Sequence, residues 1–385
     1  EMLRSLVGSE MCIRDSGKAF ELLRLNERIR KVQRYSFQRP FAEAYNLSEN
    51  YCGWRVGEKG GNALEVETVI TESKRLLPRN IPLNEFPKAF PDCKVGTGRV
   101  KTGVKPDSYR KDRSLIHIKD PAFGNLEGFI EDELQEHLSD ETQEMPTVTL
   151  NTENEKYGGK THLKLNEFEI LSFPCEKTGF ITADINCLSD STLYFLFDEI
   201  LTDSGDIDPL RLECCNVIKI KLKSGNYRFM SAEPYGFRYI KLICLGRELE
   251  INNLSITQTV CPVPISFDFK SGDERLNKIL AAAKETFIQN SFDIFTDCPT
   301  RERHGWTGDA QIFCPTASYL FDYLPFAEKY LNDVYDWQTK NGCLPQIAPE
   351  GGTDFYMRAM NGSVGWADAG VLMPYVLWKL SLIHI

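Results

Sequence analysis

The hydrophobic residues of this chain change their period at Pro264, and that change limits what the chain can fold into more than any other feature of it. From Phe168 to Val260 the runs "GFITADINCL", "STLYFLFDEI", "NVIKIKLKSG", "YRFMSAEPYGFRYIKLICL" and "LEINNLSITQTV" alternate with period two. They are rich in Ile, Tyr, Phe and Val, and Gly, Asn, Asp and Ser break them at intervals of about ten residues, the pattern of short strands. An antiparallel β-sandwich over residues 161–264 follows from that spacing. Past Pro264 the apolar residues recur every 3.6 positions. Ser271 or Asp273 can cap a helix whose apolar side carries Leu276, Ile279, Leu280, Ala283 and Phe287. A second stripe runs through Phe326, Tyr330, Leu331, Val334 and Trp337, and a last apolar helix covers about Trp366 to Leu380, kinked or divided at Pro374. The chain therefore reads as a multidomain β + α protein, with a β region feeding an all-helical region over 265–380.

Residues 17–160 are less regular and read as a β-rich N-terminal region, with short strands near Leu64–Ile70. Pro78, Pro82 and Pro87 forbid a long helix in "RLLPRNIPLNEFP". A short helix is expected around Glu131–His137 and a loop over "TLNTENEKYGGK". Neither end looks native. Residues 1–16 ("EMLRSLVGSEMCIRDS") and 381–385 ("SLIHI") resemble translated adaptor read-through, although "SLIHI" also occurs at Ser114–Ile118. The expectation is that neither end belongs to the fold and that the native chain continues past Leu380.

Composition excludes several classes of function. The net charge of -10 argues against nucleic acid or an anionic membrane as a partner. No apolar run approaches the roughly 20 residues needed to span a bilayer. The twelve cysteines form no C-x-x-C pair and several lie in apolar strand patterns, so free thiols in a reducing, cytoplasmic setting are expected. The five histidines are scattered, and neither a metal-ligand cluster nor a cofactor motif is present.

Chemistry concentrates in "FTDCPTRERHGWTGDAQIF", Phe295 to Phe313. Pro299, Gly305 and Gly308 make a continuous helix improbable there, so a structured loop between helices is expected. Its acids fall at Asp297, Glu302 and Asp309, in the pattern D-x4-E-x6-D, with Arg301 and Arg303 beside the middle one and Trp306 supplying a flat apolar face. Sugars bind where an aromatic plane meets carboxylate acceptors. Clustered carboxyls also disfavour mutual ionisation, which lets one of them keep a proton and act as a general acid. By composition alone a solvated charged loop remains an alternative, with ion pairs worth about 1 kcal/mol or less.

The stretch "DCPTRERHGWTGD" resembles the signature D-C-P-x-R-E-R-x-G-W-x-G-D of the family-78 glycoside hydrolases, the α-L-rhamnosidases. The segments "FDEILTDSGDIDPLR" to "YGFRYIKL", "LPQIAPEGG" and "VGWADAGVLMPYVLWK" are similar to the same family, so that the likeness runs from about Phe168 to Lys379. The resemblance implies a galactose-binding-like β-sandwich followed by the first part of an (α/α)6 barrel, and an inverting hydrolysis of rhamnose-containing glycosides without a cofactor. By motif position, Glu302 would be the general acid, Asp297 and Asp309 would hold rhamnose hydroxyls, Arg301 would help orient them, and Trp306 would wall the sugar. Trp366 and Asp368 are further candidates for the pocket. His304 stands at the variable position of the signature and receives no role.

An inverting hydrolase needs a second carboxylate about 6.5–9.5 Å from the acid. The resemblance implies a glutamate late in the barrel, and no match to it occurs before Leu380; Glu350 in "PEGG" reads as a solvated loop residue. The chain alone is therefore expected to be inactive, with apolar helix faces such as Phe326, Tyr330 and Trp337 exposed. Two alternatives carry different functions: a non-catalytic carbohydrate-binding protein, and an (α/α)6 hydrolase of another deoxy-sugar or a uronide.

Overall fold

The computed structural model describes residues 22–23, 25–36, 38–39, 41–48, 63–64, 80–111, 131–350 and 359–381. Residues 1–16 and 382–385 lie outside the described residues, as do most of the strand expected near Leu64–Ile70 and the internal "SLIHI", while Ser381, the first residue of the unusual 381–385 end, closes the last helix. Thirteen strands are described. In chain order they are β1 (Leu22–Leu23), β2 (Glu43–Leu47), β3 (Ala63–Leu64), β4 (Lys88–Ala89), β5 (Cys93–Val100), β6 (Thr147–Lys156), β7 (Lys160–Lys164), β8 (Glu167–Cys187), β9 (Ser191–Asp198), β10 (Val217–Leu222), β11 (Gly225–Met230), β12 (Tyr235–Cys244) and β13 (Glu248–Gln258). The helices are α1 (Leu138–Gln143), α2 (Glu274–Gln289), α3 (Thr307–Leu320), α4 (Leu324–Asp336) and α5 (Ala369–Ser381).

The long strand β8 joins two layers of one sandwich. Its first half pairs with β12 and β5, and its second half with β13 and β11. Alternating residues of β8 and its partners therefore face a common core, where Phe173, Phe195, Phe197, Phe229 and Phe237 are all buried. The pairing is not wholly antiparallel. β2 runs parallel to β10 along its edge, so the sheet is mixed. A parallel partner can be supplied only by a chain arriving from far away in sequence, which local periodicity does not show. Strands β2, β4, β5 and β6 all precede residue 161 and hydrogen-bond into this same sheet.

Two local expectations shift. The "TLNTENEK" part of the stretch expected as a loop lies in β6, which pairs along β5 with most of its residues exposed or half-buried. Its polar sequence reflects a strand at the border of the sheet with solvent, and only Gly158 and Gly159 turn. The helix expected around Glu131–His137 is a single 3-10 turn at Glu131–Glu133, and the α-helix begins at Leu138, whose side chain is buried.

The helical region starts as its capping residues direct. The Asp273 carboxylate accepts from the Arg275 N–H at 2.9 Å, opening α2. Phe287 on α2 stacks on Phe321 with ring centroids 4.0 Å apart and packs among Phe295, Phe313 and Phe326. Phe326, Tyr330 and Val334 on α4 are buried in the same cluster, contrary to the exposure expected of Phe326 and Tyr330. Packing against α3 and α5 covers that stripe. Trp337, just past the end of α4, is exposed as expected, and so are Leu324 and Tyr335 on α4, Ile279 on α2, Ile312 and Tyr319 on α3, and Val371, Tyr375 and Trp378 on α5.

Pro374 sits inside α5 without dividing it. A proline cannot donate to the carbonyl one turn back, here that of Gly370. The Tyr335 hydroxyl donates to that carbonyl at 2.9 Å and so replaces the missing bond. Tyr335→Phe should therefore cost about 1–2 kcal/mol by leaving this carbonyl without a donor. The loss should shrink when Pro374→Ala restores the N–H, and urea unfolding of the two single variants and the double variant checks this.

Candidate active site

The motif loop is built by backbone closure. Asp297 N–H donates to the His304 carbonyl at 3.0 Å, and His304 N–H donates back to Asp297 Oδ1 at 3.0 Å, drawing Cys298–Arg303 into a compact turn. Arg303 takes the left-handed conformation within it (φ 54°). Gly305 must be glycine, since a Cβ there would stand 2.0 Å from the Ala348 carbonyl oxygen. That closeness allows Ala348 N–H to donate to the Gly305 carbonyl at 2.9 Å, while the Tyr330 hydroxyl donates to the same carbonyl at 2.8 Å.

Helix α3 begins at Thr307, earlier than the expected loop allowed. Thr307 N–H donates to the Gln346 carbonyl, and the Thr307 hydroxyl faces the Pro345 and Gln346 carbonyls. Asp309 therefore lies in the first helical turn, where the helix dipole favours an acid. Trp306 and Trp366 meet edge to face with centroids 6.3 Å apart, and the Trp366 ring packs so close over Gly308 that a Cβ would touch it at 3.0 Å. Asp368 accepts from Gly365 N–H at 2.9 Å, holding the turn before α5.

Of the acids expected to act together, Asp297 and Glu302 line one cavity, while Asp309 stands in the first turn of α3, near enough for the charge of Glu302 to act on it. Asp297, Arg301 and Glu302 line a cavity of about 810 Å³ between the motif loop, α2 and the β-sandwich. Trp306, Asp309, Trp366 and Asp368 are not among its described lining residues, and neither is Glu350. Burial raises the pKa of the Asp309 carboxyl, and the charge of Glu302 raises it further.

Glu302 is buried with one oxygen accepting from Arg301 Nη2 at 3.1 Å, while no donor faces its Oε2. Asp297 stands beside it, and burial together with a hydrogen bond to Glu302 pushes the Asp297 carboxyl up to about 7. Asp297 therefore keeps its proton to far higher pH than a free carboxyl and gives it up around neutrality, beside Glu302. Arg303, expected to bear on Glu302, turns away. Its guanidinium donates to the Pro234 carbonyl at 3.0 Å and lies 4.9 Å from the Phe292 ring centre, and burial lowers it to about 10.

Asp297, Cys298 and Glu302 place their ligand atoms within 4.8 Å of one another, a donor set that could hold a divalent cation. A cation there would displace the shared proton, so the same three residues cannot serve both uses at once. The shared proton also has a consequence for stability. A carboxyl raised by folding keeps its proton where the unfolded chain has lost it, so its contribution falls as pH rises from about 4 towards 7. Asp297→Asn should raise the melting temperature relative to the parent chain at pH 8 and leave the two equal at pH 4, as read by thermal unfolding at both pH values.

Sequence reasoning missed the residues that hold the motif loop from behind. Ser36 Oγ donates to the Arg301 carbonyl at 2.9 Å, and Arg39 Nη1 donates to the Thr300 carbonyl at 2.6 Å. Arg39 Nη2 reaches the Pro234 carbonyl at 3.1 Å, and the guanidinium lies over the Tyr35 ring at 4.3 Å. Both Ser36 and Arg39 are buried. Nearby, Glu43 is buried on β2 and accepts from the Ala232 and Glu233 N–H groups and from the Tyr45 and Tyr235 hydroxyls. Apart from the local Tyr45–Glu43 and Arg39–Tyr35 contacts, these span more than 180 residues of sequence, and no local motif announces them.

The described residues thus combine a mixed β-sandwich with a run of packed helices, and a buried carboxyl pair lies where the two meet. Residues 266–381 match the model of the bacterial alpha-L-rhamnosidase 6 hairpin glycosidase domain. An alpha-L-rhamnosidase of Streptomyces avermitilis is 35% identical over 148 residues, covering 38% of this chain and 14% of the relative. One of Formosa agariphila is 31% identical over 197 residues, covering 49% of this chain and 20% of the relative. The match thus spans a fifth or less of either relative's length. In overall fold, the GH78 family rhamnosidase of Bacillus sp. GL1 superposes with a TM-score of 0.65 at 13% identity, over 92% of this chain and 53% of that one.

Proposed function

We propose that this chain is part of an enzyme that removes terminal α-L-rhamnose from rhamnosides, with inversion at the anomeric carbon and Glu302 as the proton donor. The observation that carries this reading is the buried Asp297–Glu302 pair beside Arg301, with the Asp297 carboxyl pushed up to about 7, inside the segment that matches the family model. A general acid must hold a proton at the pH where it works, and a carboxyl pair whose second ionisation is pushed up to about 7 supplies one below that pH. Arg301 fixes the direction of Glu302. Asp309 and Trp306, with Trp366 and Asp368 beside them, form the rhamnose side of the pocket, where an apolar ring face meets a carboxylate acceptor.

The helical part is the beginning of an (α/α)6 barrel, and its division from the β-sandwich falls near residue 264. The attacking water on the opposite face requires a second carboxylate as base. None of the described lining residues of the helical region other than Glu285 and the motif acids is a carboxylate, and Glu285 is engaged by Lys177 and Gln289. The relatives named rhamnosidases are five or more times longer than the matched stretch, so the whole enzyme is what should be assayed. Release of L-rhamnose from an aryl α-L-rhamnoside by the whole enzyme tests the reading, and absence of release, with binding of rhamnose retained, would favour a carbohydrate-binding protein instead.

A further inference from the structure

Arg303 is a charged residue of the motif loop that the proposed chemistry leaves without a role. Its neighbour Glu302 lines the cavity, whereas Arg303 is not among the described lining residues. At Arg303 the backbone is left-handed (φ 54°), a conformation that side chains with a Cβ rarely adopt. From there the guanidinium reaches the β-sandwich. It donates to the Pro234 carbonyl, in the turn between β11 and β12, and lies over the ring of Phe292 just past α2. That turn is itself held in place. Glu43 accepts from the Ala232 and Glu233 N–H groups, and Arg39 donates to the same Pro234 carbonyl. Gly236 on β12 leaves room for the loop, since a Cβ there would stand 2.8 Å from the Pro299 carbonyl oxygen.

Stability does not account for this arrangement. Burial, and then the charge of Arg39 beside it, lower the Arg303 guanidinium to about 10. Its Nε is buried with no hydrogen-bond partner among the described residues. A left-handed backbone and an incompletely paired buried charge both cost stability, and such costs collect where function requires them. We infer that Arg303 is a positioning residue for the proton transfer: tied to the Pro234 carbonyl and the Phe292 ring, it fixes the peptide it shares with Glu302 and so the direction of the Glu302 carboxyl. Arg301 holds that carboxyl from the side, through Nη2 at 3.1 Å, and Arg303 holds the backbone behind it. The inference rests on Glu302 being the proton donor. It also brings the β-sandwich into the reaction, because Pro234 lies outside the residues 266–381 that match the family model.

Turnover by the whole enzyme tests this on two α-L-rhamnosides, one with an activated phenol and one with a sugar alcohol as leaving group. A displaced acid fails where its proton is needed. Arg303→Met keeps the length of the side chain and removes its donors and charge. It should lower kcat about 100-fold on the sugar-linked substrate and about 3-fold or less on the phenol, with KM changed about 3-fold or less on both. Arg303→Lys keeps the charge and a donor but not the planar fork. It should lose about 10-fold on the sugar-linked substrate alone, and it decides the question if Arg303→Met does not fold. Added to Glu302→Gln, Arg303→Lys should cost no more than about 2-fold further, because the group it positions is already gone. Equal losses on the two substrates, no loss on the sugar-linked one in Arg303→Lys, or a further loss of about 10-fold in the Glu302→Gln background would overturn the inference alone. A Glu302→Gln loss that does not depend on the leaving group would overturn the proton-donor reading and this inference with it.

Discussion

Arg39→Ala should destabilise the protein by about 3–6 kcal/mol, because it removes two hydrogen bonds from a buried charged donor. The Thr300 and Pro234 carbonyls would lose their Arg39 donor at the point where the motif loop meets the β-sandwich. Arg303 also donates to Pro234, so Thr300 is the more exposed to loss. The effect should not stop at stability. Thr300 and Arg301 immediately precede Glu302, and their carbonyls are held only from the N-terminal segment among the described residues. Arg39→Lys, which keeps the charge but reaches one carbonyl at a time, should recover part of the stability. Urea unfolding of the parent chain and both variants reads the order Arg, Lys, Ala. Equal stability of all three would remove the clamp from the account.

Glu302→Gln should lower turnover of rhamnosides with poor leaving groups by about 10²–10⁴-fold, the range in which general acids contribute. Glutamine matches the glutamate in shape and can still face Arg301, so the fold should survive and the loss should be chemical. The pH profile gives an independent check. In the parent enzyme, turnover should fall on the alkaline side as the Asp297–Glu302 pair loses its shared proton, and this limb should be absent from Glu302→Gln. Asp297→Asn should displace the same limb rather than abolish it, since Glu302 would then titrate without a carboxyl neighbour.

The sequence carried the architecture well where periodicity is local. The alternation between Phe168 and Val260 became the strands β8 to β13, and the 3.6-residue stripe through Phe326, Tyr330 and Val334 became the buried face of α4. It carried less where a partner comes from far away. The parallel pairing of β2 with β10 and the Ser36 and Arg39 bonds to the motif loop depend on residues more than 170 positions apart. Polar content misled at β6, where a border strand reads like a loop, and Pro374 misled because its missing bond is replaced by Tyr335, which no helical pattern predicts. In the site, residue types together with the family resemblance suggested one pocket for seven residues. The fold instead puts Asp297, Arg301 and Glu302 on a cavity shared with the β-sandwich and gathers Trp306, Asp309, Trp366 and Asp368 around the starts of α3 and α5. α3 starts at Thr307, so Asp309 lies in its first turn and not in the loop that carries Glu302.

Glu302 as proton donor is tested most directly by two substrates in the whole enzyme, one α-L-rhamnoside with an activated phenol and one with a sugar alcohol as leaving group. The ratio of parent to Glu302→Gln turnover is measured on each. The phenol leaves without help, so its loss should be about 10-fold or less, while the sugar alcohol needs the proton and should lose at least about 100-fold. An equal loss on both substrates, or no loss on the sugar-linked one, would contradict the assignment.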